Sequence, residues 1–132
     1  MVIHKDKLSR LHLVIDDAKT NRFILKKFLE KMDIQSVESE NGYHAIHTFQ
    51  KNICLNEYDI IWVDLKMPIM DGFEFTTYLR NILNYTGMIV GVTGNIESDS
   101  VQKCYTLGMN HVIAKPIILN EFKNLIYMQP YH

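Results

Sequence analysis

The chain has 132 residues, 47% of them hydrophobic and 22% charged, with a formal net charge of -1 at pH 7. That length is one ordinary domain, and the composition supports a packed core and excludes a disordered chain. The charge excludes a nucleic-acid binder driven by basic excess, and no apolar run nears the ~20 residues that insert through a bilayer.

Met1 to Arg10 are polar, lack the apolar core of a signal peptide, and read as an N-terminal tail, 1–10. The expectation is a soluble, cytoplasmic protein. Leu11–Ile15 is a short apolar run, read as a first strand. Lys19–Met32 follows with helical spacing, setting Leu25, Phe28, Leu29 and Met32 on one face. Gln35–Ser39 is a weaker strand, and Gly42–Asn52 a helix with Ala45, Ile46 and Phe49 inward. Tyr58–Val63 is a third strand, followed by a helix over Phe73–Leu83. Met88–Val92 and Ser98–Leu107 form the fourth pair, His111–Ala114 and Ile118–Tyr127 the fifth. Residues 129–132 are a C-terminal tail, so the domain spans 11–128. The two cysteines, Cys54 and Cys104, lack CxxC spacing and read as reduced, largely buried thiols in or at the ends of helices. The six histidines contain no HxxxH pair, so zinc is not expected.

Strict alternation of strand and helix implies a parallel sheet with helices on both faces. Near-continuous apolar strands agree, because central parallel strands are buried on both sides. Five such strands favour the flavodoxin-like α/β order 2-1-3-4-5, with ligands bound off the carboxyl ends of strands 1 and 3. Strand 1 runs into Asp16-Asp17 and strand 3 into Asp64, so three carboxylates converge there. Mutually repelling anions call for a cation, and hard oxygen ligands select Mg²⁺, with Mn²⁺ as a substitute. Strand 4 ends in Thr93 and strand 5 in Lys115, adding a hydroxyl and an ammonium. A carboxylate nucleophile, a divalent ion, a hydroxyl and a lysine together suit phosphoryl transfer to an aspartate. Each residue alone has a structural alternative. Asp16 or Asp17 caps the next helix, Thr93-Gly94 makes a turn, and Lys115 is a solvated lysine before proline. Their co-occurrence at neighbouring strand ends favours the chemistry.

The order and spacing of Asp16-Asp17, the stretch from Asp64 through Leu65-Lys66-Met67-Pro68-Ile69-Met70 to Asp71-Gly72, Thr93 and Lys115-Pro116 resemble a response-regulator receiver domain of two-component and phosphorelay signalling. The resemblance runs from about Leu11 to Tyr127. It implies that Asp64 accepts a phosphoryl group from a histidine kinase or histidine-phosphotransfer domain. Asp17 would ligate Mg²⁺ directly, Asp16 largely through water, and Lys66 through its backbone carbonyl. Thr93 would hydrogen-bond the phosphoryl group and Lys115 would pair with it. The family's usual cis peptide before the proline matching Pro116 would aim Lys115 inward. The run from Asp16 to Arg22, Thr93-Gly94-Asn95 and Gly108-Met109-Asn110 resemble receivers of hybrid histidine kinases. The chain would then be a stand-alone receiver or part of a longer protein, such as the cytosolic part of a membrane-bound hybrid kinase. A weak homodimer is allowed. It would catalyse only its own phosphorylation and dephosphorylation.

Departures from the family pattern bear on output. Val112 stands where receivers commonly carry a Tyr or Phe that swings inward, and valine has no ring to swing. His111 faces the other side of the strand and reads as a surface or packing residue. Lys66 and Asn95 flank the site and are expected to set the lifetime of the phosphoryl group. Phe23 lies opposite the apolar face of the first helix, where the family commonly docks its phosphodonor. Tyr43, Tyr85 and Trp62 read as packing residues. The rival readings are an Mg²⁺-dependent phosphatase or phosphotransferase with an Asp nucleophile, and a receiver-shaped interaction module that is not phosphorylated. A nucleotide or flavin site is a weaker third, because acids stand where a phosphate loop needs glycines.

Overall fold

A computed structural model of the chain describes residues 10–49 and 54–128. Five parallel strands, β1 (Leu11–Ile15), β2 (Gln35–Ser39), β3 (Ile60–Asp64), β4 (Met88–Thr93) and β5 (His111–Ala114), pair in the order β2-β1-β3-β4-β5. Five helices connect or follow them: α1 (Lys19–Glu30), α2 (Gly42–Thr48), α3 (Gly72–Asn81), α4 (Ser98–Leu107) and α5 (Leu119–Tyr127). This is the flavodoxin-like arrangement that the alternation predicts.

Strand periodicity of two sends alternate residues to opposite faces. Leu13, Ile15, Ile61, Val63 and Ile89 meet Ala45, Phe75, Leu79 and Cys104 from α2, α3 and α4. Val14, Ile60, Trp62, Val90 and Ile113 meet Leu25, Leu29, Phe122 and Ile126 from α1 and α5. Trp62 is fully buried, stacks on Phe122 at 4.4 Å between centroids, and donates its indole N–H to His12 Nδ1 at 3.1 Å. Val112 packs partly buried against the α2–α3–α4 face.

Several boundaries shift for local reasons. α1 ends at Glu30 rather than Met32, because Met32 and Ile34 both turn their N–H groups back to the Leu29 carbonyl and Asp33 adopts φ 58°. β3 starts at Ile60, since Tyr58 closes an unpredicted 3-10 turn over Leu55–Glu57 by donating to the Leu55 carbonyl. α3 begins at Gly72 behind a reciprocal capping box between Asp71 and Glu74 and ends at Asn81. Residues 50–52 of the expected second helix, residues 1–9 of the expected N-terminal tail and the whole expected C-terminal tail lie outside the described residues.

Two packing expectations are corrected. Cys54 is exposed ahead of the 3-10 turn, whereas Cys104 is buried in α4. Tyr43 is exposed on α2 with its ring edge-on to His47, because its position in the first turn points away from the sheet. Among the described residues no helix is long and apolar enough to cross a membrane.

Candidate functional site

The strand order itself assembles the site. β1 and β3 are neighbours in the register Ile15↔Val63, so Asp16 and Asp64 emerge side by side at the carboxyl edge of the sheet. Both are buried, at 2% and 6% exposure, while Asp17 is exposed. Carboxylate oxygens of Asp16, Asp17 and Asp64 lie within 4.8 Å of one another. Neither Asp16 nor Asp17 is the N-cap of α1; that position is Ala18, which makes no side-chain cap bond.

Lys115 reaches this cluster from the end of β5. Its ammonium lies 3.2 Å from Asp16 Oδ2 and 3.1 Å from Asp64 Oδ2, a single cation shared by two buried anions. The Lys115–Pro116 peptide is cis, as the resemblance implies. Burial works against the ammonium, but the two carboxylates outweigh it and raise the Lys115 pKa. Burial, then repulsion from Asp16, pushes the Asp64 carboxyl above its ordinary value, against the opposing pull of Lys115 and the Lys66 amide.

The loop after β3 brings the backbone close to Asp64. The Lys66 N–H donates to Asp64 Oδ1 at 3.3 Å, and its side chain is exposed. Gly72 donates its N–H to the Leu65 carbonyl at 3.0 Å. A Cβ at Gly72 would lie 2.6 Å from the Asp64 carbonyl oxygen, so glycine is needed for α3 to pass behind the strand end.

Thr93 stands apart from the contacts that link these groups. It is buried at the end of β4, but its Oγ1 is engaged within its own loop, accepting from the Asn95 N–H at 3.1 Å. Asp16, Asp17, Asp64, Lys66 and Lys115 are thus brought together, while the Thr93 hydroxyl is turned to the β4–α4 loop.

Sequence reasoning assigned no role to Arg22. Its Nη1 donates to the Asp16 carbonyl at 2.7 Å and its Nε to Glu38 Oε1 at 3.2 Å. A signal was present: the first turn of α1 holds no acidic residue and begins Lys-Thr-Asn-Arg, unfavourable for a helix N-terminus unless carboxylates lie nearby.

The donor set fits a hard divalent cation. It offers three convergent carboxylates, two buried and one open to solvent, with a basic side chain already neutralising part of their charge.

Known proteins resemble this chain along most of its length. The family model described as a response regulator receiver domain matches residues 13–127. Hybrid signal transduction histidine kinase E of Dictyostelium discoideum is 35% identical over 122 residues, 86% of this chain and 7% of that protein. Sensor protein EvgS of Escherichia coli (strain K12) is 35% identical over 111 residues, 84% of this chain and 9% of that protein. The chain therefore spans less than a tenth of the length of these two relatives. Among solved structures, a two-component response regulator from Clostridium difficile superposes with TM-score 0.82 at 27% identity, covering 91% of this chain and 94% of that one. A chain of the Saccharomyces cerevisiae complex between the histidine phosphotransfer signaling protein Ypd1 and the receiver domain of Ssk1 gives TM-score 0.81 at 22% identity, over 92% and 88% of the two chains.

Proposed function

The chain belongs to the response regulator receiver domain family, and from that premise we propose that Asp64 is its phosphoacceptor. The observation that carries this reading is Lys115 bridging Asp16 and Asp64 inside a cluster of three carboxylates. The donor is a phosphohistidine of a histidine kinase or histidine-phosphotransfer domain, the partner seen with the yeast receiver above. An Asp64 carboxylate oxygen forms the new P–O bond, the P–N bond breaks, and the leaving imidazole takes up a proton.

Mg²⁺ held by Asp16, Asp17, Asp64 and the Lys66 carbonyl would supply charge neutralisation to the transferring oxygens. The chain's own residues do the remainder. The Lys66 amide orients Asp64 through Oδ1, leaving Oδ2 facing Lys115. Lys115 then exchanges its contact with Asp64 for one with the phosphoryl oxygens. Thr93 rotates its hydroxyl from Asn95 toward the same group, which frees the β4–α4 loop. Burial of Asp64 restricts the water that would hydrolyse the product. With Val112 paired to Gly91 on β4 and packed against the core, the change passes through loop and backbone rather than a swinging ring.

Residues 11–128 constitute this receiver, and α1 with exposed Phe23 forms part of the surface that meets the donor. It acts on no separate metabolite and works in the cytoplasm. The test is incubation with Mg²⁺ and acetyl phosphate, followed by intact-mass measurement. Gain of one phosphoryl group, lost in Asp64→Ala, is the expected result. No gain in the wild-type chain overturns the reading, and multiple turnover of a small phosphoester would favour a phosphatase instead.

A further inference from the structure

The main chain and carboxylate of Asp16 are held at every polar point. Its N–H donates to the Ser39 carbonyl at 3.2 Å, its Oδ1 accepts from the Ala18 N–H at 2.9 Å, and its Oδ2 faces Lys115. The fourth hold is Arg22, whose Nη1 donates to the Asp16 carbonyl at 2.7 Å. The guanidinium is itself fixed by Glu38 on β2, with the Arg22 side chain 16% exposed. Asp17 follows directly and is exposed, with no hydrogen bond or ion pair among the described residues. The placement of its carboxylate within the cluster therefore depends on how the Asp16–Asp17 peptide is oriented. That peptide contains the carbonyl that Arg22 grips.

We propose that Arg22, anchored by Glu38, is a positioning residue that orients the Asp16–Asp17 peptide so that both carboxylates face the divalent-cation site before the ion arrives. This inference rests on the reading of the acidic cluster as a metal site. Outer residues that orient ligands commonly change metal affinity by about 10- to 100-fold when removed. Electrostatics alone has the opposite sign. Arg22 is a cation beside a cation site, so deleting its charge favours metal binding unless its hydrogen bond is what shapes the site. The direction of the change thus separates positioning from charge.

The test titrates the full chain with Mn²⁺, followed by electron paramagnetic resonance of the free ion, for wild type, Arg22→Met, Arg22→Lys and Glu38→Ala. Arg22→Met is expected to bind Mn²⁺ about tenfold more weakly. Arg22→Lys, whose ammonium still reaches a carbonyl but lacks the fork, should recover part of that loss. Phosphorylation by acetyl phosphate at saturating Mg²⁺ should stay within about twofold of wild type, because metal restores the geometry at a higher concentration. Equal or tighter Mn²⁺ binding by folded Arg22→Met overturns the proposal. Should Arg22→Met fail to fold, Arg22→Lys decides, because it keeps the charge: weaker binding than wild type supports the clamp and equal binding overturns it. Absence of Mn²⁺ binding by wild type overturns the metal reading itself, a result distinct from equal binding by all four chains.

Discussion

Ile69 is the residue at which this fold holds a conformation its sequence resists. Among the described residues, three non-glycine residues have positive φ: Asp33 at 58°, Asn84 at 57° and Ile69 at 73°. Aspartate and asparagine tolerate that region, whereas a β-branched side chain there is an outlier. The Met70 N–H donates to the Pro68 carbonyl at 2.8 Å, so Ile69 sits at the centre of a γ-turn in its strained, positive-φ form. A non-glycine residue held in so sparsely populated a backbone region costs on the order of 1–3 kcal/mol. Little burial offsets this, because Ile69 is 75% exposed. A quarter of a full isoleucine burial is about 0.5 kcal/mol. Ile69→Asn should therefore stabilise the domain by about 1 kcal/mol, raising Tm by about 4 °C. The assay is urea unfolding, in which the midpoint should rise at unchanged slope. Ile69→Gly should gain less, since glycine adds freedom to the unfolded chain. Equal or lower stability of Ile69→Asn refutes the argument that the turn is strained. Strain retained in the loop that follows Asp64 is a pattern of functional loops, where the surrounding structure enforces it.

Other positions give sharp expectations. Gly72→Ala places a Cβ 2.6 Å from the Asp64 carbonyl oxygen and 2.9 Å from Leu65 Cα, backbone atoms that cannot step aside, whereas a Cβ at Gly94 meets nothing within 4 Å. Gly72→Ala should cost about 1–3 kcal/mol and slow acetyl phosphate labelling, with Gly94→Ala as the near-silent control in the same melts. Arg80 donates to the carbonyls of Tyr85, Gly87 and Gly108 and to Asn110 Oδ1, joining α3 to the loops entering β4 and β5. Arg80→Met should lose about 3 kcal/mol in denaturant unfolding, and a loss below about 1 kcal/mol would show that water replaces the clamp. Because the Asp64 carboxyl is raised in the fold, its share of metal-free stability is complete below the ordinary aspartate pKa and is lost as pH rises through its own. In EDTA, Asp64→Asn should therefore gain on wild type as pH rises through that window and then level off; a variant that loses ground on wild type as pH rises contradicts the sign. Lys66→Ala should change the dephosphorylation rate measured by loss of the mass adduct, since its side chain stands exposed at the mouth of the site. An unchanged rate removes Lys66 from any role in phosphoryl lifetime.

The sequence by itself determined the order of elements and the sheet topology, and it singled out strand-end residues that the fold gathers at one edge. Continuous apolar runs such as Ile60-Ile61-Trp62-Val63 suit strands buried on both faces, and the β/α alternation admits few connections. Asp16, Asp64 and Lys115 were visible because polar residues ending apolar strands must emerge at the sheet's carboxyl edge. Tertiary structure decided what depends on neighbours far apart in the chain. The Lys115 ammonium bridges two aspartates because β5 returns beside β4 and so reaches the β1–β3 crevice, a geometry no local pattern encodes. The Thr93 hydroxyl turns to Asn95, and Cys54 faces solvent, because loop paths and not periodicity orient them. Arg22 carries no motif, yet its length lets it span from α1 to Glu38 on the edge strand and the carbonyl of Asp16. Local residue type specifies which strands form and where they end; only packing of those strands brings their ends within hydrogen-bond distance.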